Sequence, residues 1–353
     1  MKDRIFVIDG SSYLYRAYHA MPPLSTSTGR PTGAVKGVTN MLMNLKKDSE
    51  GSPIIVVFDA KGKTFRNEIY SEYKANRPPM PDELRLQLDP VKSICRAIGF
   101  PLIEIEGVEA DDVIATITRM AKDAEYKCVV SSLDKDLMQL VEDPDTTLMN
   151  TMKHEIFNEE KVFEKFGVKP NQIRDMLALV GDSSDNIPGV PKVGQKTAAK
   201  WLNEYSNLDG VIKNADLIKG VVGDNLRNSL SELERNIDLV SLKEDVDLNV
   251  KFEDLLKLNP NQDELDKIFK DLEFAPINKD KDEQVPKKNG KYQTVLNKKD
   301  LNSWINKIKK SKAFAIDTET DSVQTVSANM LGISLSVEEN EGCYIPIGHD
   351  YEG

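Results

Sequence analysis

The sequence contains few of the side chains that bind zinc and other soft metals. Its 353 residues include only three cysteines and three histidines, which are Cys95, Cys128, Cys343, His19, His154 and His349. They are too far apart for a zinc site, and an odd number of scattered cysteines gives no disulfide framework. Any metal ion held by this chain must therefore be bound by oxygen ligands.

Long apolar runs are also absent. The amino terminus, MKDRIFVIDG, has four consecutive apolar residues before Asp9, and no later run approaches the length of a membrane span. With 39% hydrophobic residues the chain can still bury substantial cores, so we expect two or three domains. The expectation is a cytoplasmic protein with no membrane partner.

A net basic charge is missing as well. The formal net charge of −11 argues against a protein that binds polyanions over its whole surface. It leaves open a local basic stripe, which has to be found segment by segment.

Four short runs rich in Val and Ile recur in the first 140 residues, each followed by helical periodicity. They are RIFVIDG, PIIVVFDA, PLIEIEG and KCVVSSLDKD. Continuous apolar runs are typical of strands buried on both faces. The pattern predicts an α/β fold with a mainly parallel sheet and helices on both of its faces.

Acidic residues follow each of these four strands. They are Asp9 after the first, Asp59 after the second, Glu109, Asp111 and Asp112 after the third, and Asp134 and Asp136 after the fourth. The carboxyl ends of parallel strands open on one edge of the sheet, so the seven carboxylates should converge there and repel one another unless cations lie between them. Hard oxygen ligands suit two Mg²⁺ or Mn²⁺ ions about 4 Å apart, which can activate a water and stabilise a leaving oxygen.

A structural alternative exists for each acid. Carboxylates are favoured in the first turn of a helix, and GVEADD precedes the helical pattern VIATITRM. Strand-end aspartates also serve as turn residues. Acids after four successive strands favour the metal site, because the structural alternative needs a separate cause for each strand end. Asp182 and Asp185 in GDSSDNIPG are either further ligands or part of an Asx turn, and both interpretations stay open.

Two segments combine basic residues in a pattern that suits DNA. In AKGKTFRNEIYSEYKANRPP, tyrosines lie among Lys61, Lys63, Arg66, Lys74 and Arg77, an arrangement suited to a flexible single strand. In NIPGVPKVGQKTAAKWL, two glycines bracket a tight turn before a helix that carries lysines four residues apart, which suits the phosphates of a duplex. The alternatives are a solvated helix face for the first and a plain helical hairpin for the second.

The sequence predicts four regions. Residues 1–167 form the α/β core, 168–276 a helical subdomain, and 277–290 a charged linker nearly devoid of apolar residues. Residues 291–353 carry two further strands, in AFAIDTETDS and MLGISLSV, and are too few to close an α/β core. We expect this last region to be the start of a domain that is cut off.

Several motifs together resemble a known family. YLYRAY, TFRNEIYSEYKANRPP, GVEADD, SSLDKDLMQLV and GDSSDNIPGVPKVGQKTA are similar, in order and spacing, to the 5′-nuclease domain of bacterial DNA polymerase I, a member of the flap endonuclease family. The resemblance covers about residues 1 to 275. Residues 291–353 resemble the beginning of the proofreading 3′-to-5′ exonuclease domain of the same polymerases, in which Asp317 and Glu319 match the first two metal ligands. The remaining ligands of that site are expected beyond Gly353, so this pair is not expected to form a complete site.

The resemblance implies roles for individual residues. All nine acids of the α/β core and of the GDSSDN segment would surround two divalent ions, and Lys74 and Arg77 would lie at the base of a helical arch beside the scissile phosphate. Arg16 and Arg66 would contact further phosphates, and Tyr15 would stack on a base near the cut. The helical subdomain would contain a helix-hairpin-helix that grips duplex DNA through Gly189, Gly194, Lys196, Thr197 and Lys200, with a K⁺ ion at its turn as a further expectation.

The predicted function is a structure-specific 5′ nuclease, acting as a monomer at the nucleoid on DNA with 5′ flaps, nicks or RNA primers. Polymerase motifs are missing, so no DNA synthesis is expected. Two alternatives remain. One is a module of the same fold that binds flaps without cutting, which the complete ligand set disfavours. The other is a ribonuclease of related α/β fold with fewer carboxylates, against which the duplex-binding hairpin argues.

Overall fold

The computed structural model of this chain describes residues 3–132, 134–150, 155–275, 290–321 and 328–349. The chain divides into two compact units, Met1–Pro276 and Ile277–Gly353. Most of the linker predicted at 277–290 lies outside the described residues. Among the described residues, no helix combines the length and apolar character that a bilayer crossing requires.

The first unit alternates strands and helices and then becomes helical. Its strands are β1 (Arg4–Asp9), β2 (Ile54–Val57), β3 (Leu102–Ile103), β4 (Lys127–Ser131), β5 (Thr146–Asn150), β6 (Glu155–Phe157), β7 (Gly181–Asp182) and β8 (Ile187–Pro188). Its α-helices are α1 (Gly10–Ala20), α2 (Gly33–Asp48), α3 (Phe65–Ile69), α4 (Asp82–Ile98), α5 (Ala110–Asp123), α6 (Glu159–Phe166), α7 (Ile173–Val180), α8 (Gln195–Tyr205), α9 (Leu208–Lys213), α10 (Val221–Val240), α11 (Phe252–Leu255) and α12 (Gln262–Asp271). Single 3₁₀ turns lie at Asp136–Leu140, Pro170–Gln172 and Ala215–Leu217.

The central sheet has six strands in the order β3-β2-β1-β4-β5-β6. All neighbours are parallel except the edge pair of β5 and β6. The prediction of a mainly parallel sheet is therefore confirmed. The four strands expected from the apolar runs are present, and the sequence interpretation missed β5 and β6, which extend the sheet beyond β4.

Both faces of the sheet are covered, as predicted. In β1, Ile5 and Val7 belong to a core shared with α5 and with the region from α7 to α11, which is called the helical half. The intervening Phe6 and Ile8 are also buried and point to the opposite side of the sheet. Helices α1, α2 and α4 pack against one another, and α1 also contacts β1 and β2. A strand with no solvent-facing side needs apolar residues at every position, which explains the uninterrupted runs in the sequence.

One hydrophobic core joins the sheet to the helices that follow it. It continues from the strands through α7, α8 and α10 to α11, without a break near Gly167. The segment between β2 and α4, where an arch is expected from the resemblance, contains the five-residue helix α3 followed by turns. Beside the carboxyl edge of the sheet, hydrogen bonds join this segment to the helical half.

The described residues of the second unit form a four-stranded sheet and one helix. Its strands are β9 (Lys291–Thr294), β10 (Ala315–Thr320), β11 (Met330–Glu338) and β12 (Glu341–Pro346), in the order β10-β11-β12-β9, and its helix is α13 (Lys298–Lys310). Trp304 of α13 is buried against Val295 and Cys343. The two strands expected in this region are β10 and β11. Asp317 and Glu319 lie on β10 and are exposed.

Candidate active site

A polar cleft opens at the carboxyl edge of the parallel sheet. It has a volume of about 300 Å³ and is lined by eight carboxylates and three cationic side chains. The carboxylates are those of Asp9, Asp59, Glu109, Asp111, Asp134, Asp136, Asp182 and Asp185, and the cations are Lys74, Arg77 and Lys135. The structure thus brings together eight of the nine acids that the sequence selected as metal ligands. It also places Tyr15, Lys74 and Arg77 in the wall of the same cleft.

Strand ends and helix starts fix most of these carboxylates. Asp9 is the last residue of β1 and the N-cap of α1, where its Oδ1 accepts the backbone N–H of Ser12 at 2.8 Å. Its Oδ2 accepts the hydroxyl of Ser132 at 2.8 Å. Asp59 follows β2, and its Oδ1 accepts the N–H of Ala110 at the start of α5, at 2.9 Å. The acids serve as caps and as cleft residues at once, so the two interpretations of the sequence are compatible.

Asp136, Asp182 and Asp185 form the tightest acidic group. One carboxylate oxygen of each lies within 4.8 Å of the others, close enough to coordinate one cation. Oδ1 of Asp136 is buried and has no hydrogen-bond partner. An orphaned buried oxygen among carboxylates fits a hard divalent ion such as Mg²⁺ or Mn²⁺, because that ion would supply the missing partner.

The proton affinities of the cleft acids reflect burial among like charges. Burial raises the pKa of Asp9 from 3.8 to about 7, with the charges of Asp59 and Asp134 adding to the shift. Burial likewise raises the pKa of Asp136 to about 7, with Asp134 and Asp182 contributing. Burial and the neighbouring acids also raise the pKa of Asp111 well above its usual value. Asp9, Asp111 and Asp136 therefore ionise more readily when further positive charge enters the cleft.

Lys74 and Arg77 lie where the segment after α3 meets the loop between β7 and β8. The ammonium of Lys74 lies 2.7 Å from Oε1 of Glu109 and 3.6 Å from Oδ2 of Asp185, and the guanidinium of Arg77 pairs with Asp185. Burial lowers the pKa of Lys74, but the charges of Glu109 and Asp185 outweigh it, so the pKa is raised. Lys74 therefore stays charged beside the acids.

Backbone contacts hold this junction in place. Lys74 has a left-handed backbone, with φ of 57°, a conformation that L-residues rarely adopt. Its N–H donates to the carbonyl of Asp185 at 2.9 Å, and the side-chain amide of Asn76 donates to the carbonyl of Ser183 at 2.7 Å. Asn186 returns a bond of 2.7 Å to the carbonyl of Glu72. Lys74 and Arg77, called the arch base, are thus held in a fixed position relative to Asp182 and Asp185 of the helical half.

Two residues selected from the sequence are not in the cleft, and their predicted roles are corrected here. Asp112 is fully buried, and its two oxygens accept hydrogen bonds from Arg66 at 2.6 and 2.8 Å. Arg66 is only 2% exposed and cannot reach a phosphate at the surface. Asp112 also accepts the backbone N–H groups of Glu109 and Lys243, at 3.0 and 2.9 Å, so its acceptor positions are taken up inside the protein. A sequence cannot reveal that the arginine 46 positions earlier neutralises this acid.

Three residues have roles in the site that the sequence did not predict, and Tyr73 was expected only as one of the tyrosines that suit a single strand. Lys135 lines the cleft, with its ammonium 3.0 Å from Oδ2 of Asp182. The hydroxyl of Tyr73 is buried 3.0 Å from both Glu109 and Asp185, and it can donate to one of them at a time. Ser132 holds Asp9, as described above. Lys135 lies between two of the selected acids in SSLDKD, which was the available signal for it.

The hairpin expected to bind duplex DNA connects α7 to α8 through the short ribbon of β7 and β8. Gly189 passes so close to the end of α7 that a Cβ there would lie 2.0 Å from the carbonyl oxygen of Val180. Only glycine fits that crossing. Gly194 is the N-cap of α8, and Lys196 and Lys200 are exposed on that helix, with Thr197 half-buried between them.

The two remaining candidate DNA contacts lie on α1. Tyr15 is 39% exposed at the cleft. Arg16 is half-buried with its guanidinium over the ring of Tyr13, at 5.5 Å from the ring centre, and it is not among the cleft-lining residues.

The fold and the cleft together define a metal-dependent nuclease of the carboxylate-rich type. Residues 4–167 match the family model described as a 5′-3′ exonuclease N-terminal resolvase-like domain, and 168–264 match the C-terminal SAM fold of the same exonucleases. The chain belongs to the 5′-3′ exonuclease family. Residues 292–353 match a 3′-5′ exonuclease model.

Curated relatives and a solved structure support this assignment. The 5′-3′ exonuclease of Aquifex aeolicus is 40% identical over 278 residues, which cover 79% of this chain and 95% of that protein. DNA polymerase I of Pseudomonas aeruginosa is 43% identical over 371 residues, which cover 99% of this chain but only 40% of the polymerase. A crystal structure of the bacteriophage T5 flap endonuclease, in a pseudo-enzyme-product complex with DNA and metal ions, is 26% identical. It aligns with a TM-score of 0.58 over 76% of this chain and 97% of the T5 chain.

Proposed function

We propose that this chain cuts the 5′-terminated strand of DNA at flaps, nicks and RNA-primed ends, using two Mg²⁺ or Mn²⁺ ions. The observation that carries the proposal is the cleft itself, in which eight carboxylates from both halves of the unit converge beside Lys74 and Arg77. The net negative charge of this group requires added cations, and its ligands are all oxygens. The T5 flap endonuclease, which was crystallised with DNA and metal ions, supports the same assignment.

The ligands fall into two groups. Asp136, Asp182 and Asp185 would hold one ion, since their oxygens already lie within 4.8 Å of one another. Asp9, Asp59, Glu109, Asp111 and Asp134 line the remainder of the cleft and would hold the other. When bound, the two ions supply charge neutralisation at the phosphodiester and a water of lowered pKa.

Lys74 and Arg77 orient the phosphodiester. Both pair with carboxylates at the mouth of the cleft, so a phosphate entering there meets two fixed positive charges. Tyr15, exposed on α1 at the same opening, offers a ring on which the terminal base stacks. In this proposal these residues receive the phosphate and the terminal base of the 5′-ended strand.

Duplex binding is assigned to the hairpin of α7 and α8. Its exposed lysines meet the backbone of the double strand, and the N-terminal turn of α8 offers free N–H groups to a phosphate. A K⁺ ion at the turn is part of this proposal. Chromosomal DNA as substrate would place the protein at the nucleoid in the cytoplasm, where it would act as a monomer in primer removal and excision repair.

Cleavage of a defined substrate tests the proposal. A 5′-labelled flap duplex and the matched single strand are incubated with the chain in Mg²⁺ and in EDTA, and the products are sized on a denaturing gel. We expect cutting at or near the flap junction in Mg²⁺ only. Asp134→Ala should abolish it while DNA affinity is largely retained, because Asp134 lines the cleft and no basic contact is lost.

Two outcomes would contradict the proposal. Tight flap binding without any product in Mg²⁺ or Mn²⁺ would favour a module that binds without cutting. Cleavage by Asp134→Ala at the parental rate would refute the ligand assignment even if the parent protein is a nuclease.

A further inference from the structure

Arg66 is buried and makes several hydrogen bonds inside the protein, although it lies in a segment that the sequence presents as a DNA-binding stretch. Its Nη1 and Nη2 donate to the two oxygens of Asp112 at 2.6 and 2.8 Å. Its Nε donates to the carbonyl of Leu239 at 2.8 Å, and Nη2 also donates to the carbonyl of Ser241 at 2.8 Å. Nη1 lies 3.6 Å from Oε2 of Glu109. Four hydrogen bonds and this ion pair therefore engage the guanidinium inside the protein.

Asp112 connects Arg66 to the cleft through a further hydrogen bond. Its Oδ2 accepts the N–H of Glu109 at 3.0 Å, and its Oδ1 accepts the N–H of Lys243 at 2.9 Å. Glu109 is the N-cap of α5, so the bond from its N–H fixes the backbone from which its carboxylate enters the cleft. Arg66 thus acts on Glu109 twice, through Asp112 and by its own charge.

Three separate segments meet at this one guanidinium. Arg66 lies on α3, Asp112 lies in the first turn of α5, and Leu239 and Ser241 lie at the carboxyl end of α10. The last carbonyls of a helix lack partners within it, and here a buried arginine supplies them. The ammonium of Lys243 also lies 3.7 Å from the centre of the ring of Phe65, which strengthens the docking of α3 on the end of α10.

Two further contacts to the Glu109 carboxylate come from residues that follow α3. The hydroxyl of Tyr73 lies 3.0 Å from its Oε2, and the ammonium of Lys74 lies 2.7 Å from its Oε1. The position of α3 therefore determines where both of these groups meet Glu109. A shift of α3 relative to α10 would therefore move the carboxylate of Glu109 together with Lys74 and Arg77.

We propose that Arg66 is a positioning residue, which couples the arch base and the carboxyl end of α10 to the carboxylate of Glu109, and that it makes no contact with DNA. The inference rests on the proposed nuclease function for its kinetic consequence only. Residues that orient metal ligands at one remove commonly change metal affinity or activity about 10- to 100-fold when replaced. A residue that contacts phosphate instead changes the salt dependence of DNA binding.

The test uses Arg66→Lys, which keeps the charge but not the fork of donors, and the double variant Arg66→Gln with Asp112→Asn, which removes both charges together. Three quantities are measured: single-turnover cleavage of the flap, Mn²⁺ affinity by calorimetry without DNA, and flap binding in EDTA over a range of salt. We expect cleavage and Mn²⁺ affinity to fall about 10- to 100-fold. The slope of log affinity against log salt should not change.

Lys92→Gln is the matched control for damage by loss of a buried ion pair. Lys92 is buried, and its ammonium lies 2.8 Å from both oxygens of Glu104, outside the cleft. We expect it to lower thermal stability while cleavage and Mn²⁺ affinity per folded molecule stay at the parental values. If the Arg66 variants behave like this control, Arg66 is structural only and the inference is wrong.

A decrease of about 0.9 in the salt slope for the double variant, which removes the positive charge at position 66, would show a lost phosphate contact and would also refute the inference. The double variant covers the case in which Arg66→Lys does not fold, because it leaves no unpaired buried charge. If the parent protein itself does not cut, the proposed function fails, and the Mn²⁺ affinity and the salt slope still decide the role of Arg66.

Discussion

Lowering the pH should weaken metal binding steeply between pH 8 and pH 6. The pKa values of Asp9 and Asp136 are both raised to about 7 by burial and neighbouring acids. A carboxylate with a pKa of 7 is about 10% protonated at pH 8 and about 90% protonated at pH 6. Because a metal ligand must be deprotonated, the apparent affinity should fall about tenfold for each of the two groups over this range.

Calorimetry of Mn²⁺ binding without DNA measures this effect directly. Titrations at pH 6 in two buffers of different ionisation enthalpy give the number of protons released. We expect about 0.9 protons for each of the two acids at pH 6 and about 0.1 at pH 8. In Asp136→Asn the release at pH 6 should fall by about one proton, because one of the titrating ligands is gone.

The same pKa values set the pH dependence of the free energy of unfolding. In the metal-free chain this free energy should fall as the pH rises, whereas the affinity for metal should increase. A raised pKa means that the folded chain binds more protons than the unfolded chain between about pH 4 and 7, so the free energy of unfolding falls as pH rises through that window. Added Mn²⁺ should oppose this trend between pH 6 and pH 8, where deprotonation of the ligands strengthens metal binding to the folded chain. Proton release near zero at pH 6, together with equal Mn²⁺ affinity at pH 6 and 8, would refute the reasoning.

Two further predictions concern the hairpin. Lys196→Ala and Lys200→Ala should each reduce the salt slope of duplex binding by about 0.9, as measured by fluorescence anisotropy. Lys270→Ala on α12 is the control and should not change the slope. An unchanged slope in the first two variants would favour a purely structural hairpin. Gly189→Ala should lower the free energy of unfolding by about 1–3 kcal/mol in denaturant titrations, because the new methyl group meets a carbonyl of α7. Gly194→Ala is its control, since a Cβ at Gly194 meets nothing within 4 Å, and equal stability of the two variants would contradict the steric argument.

The sheet and the acidic edge could be predicted because the physics that determines them is local. A strand buried on both faces needs an unbroken apolar run, and acids lie at the end of each such run or within a few residues after it. Parallel pairing then requires these acids to meet at one edge. β5 and β6 carry a weaker signal: β5 alternates buried and half-buried residues, and β6 is a three-residue antiparallel strand at the edge.

The roles of Arg66 and Asp112 could not be predicted, because they depend on distant partners. Asp112 is indistinguishable from Asp111 in the sequence GVEADD, yet one faces the cleft and the other points into the core. Successive residues of a helical turn differ by about 100° in direction, so adjacent acids at the start of α5 cannot share one role. The partner that neutralises Asp112 is 46 positions away, and the carbonyls that complete the site are more than 170 positions from Arg66.

The acids of the helical half explain why two distant sequence regions have to fold as one unit. Asp182 and Asp185 reach the cleft only if the loop between β7 and β8 docks on the segment after α3, through the bonds between Lys74 and Asp185 and between Asn186 and Glu72. A cluster of buried carboxylates opposes this docking by mutual repulsion, whereas Lys74, Arg77 and the shared hydrophobic core favour it. Metal ions bound between the two halves would add to the favourable side, so the same ions that serve hydrolysis would also hold the arch base against the helical half.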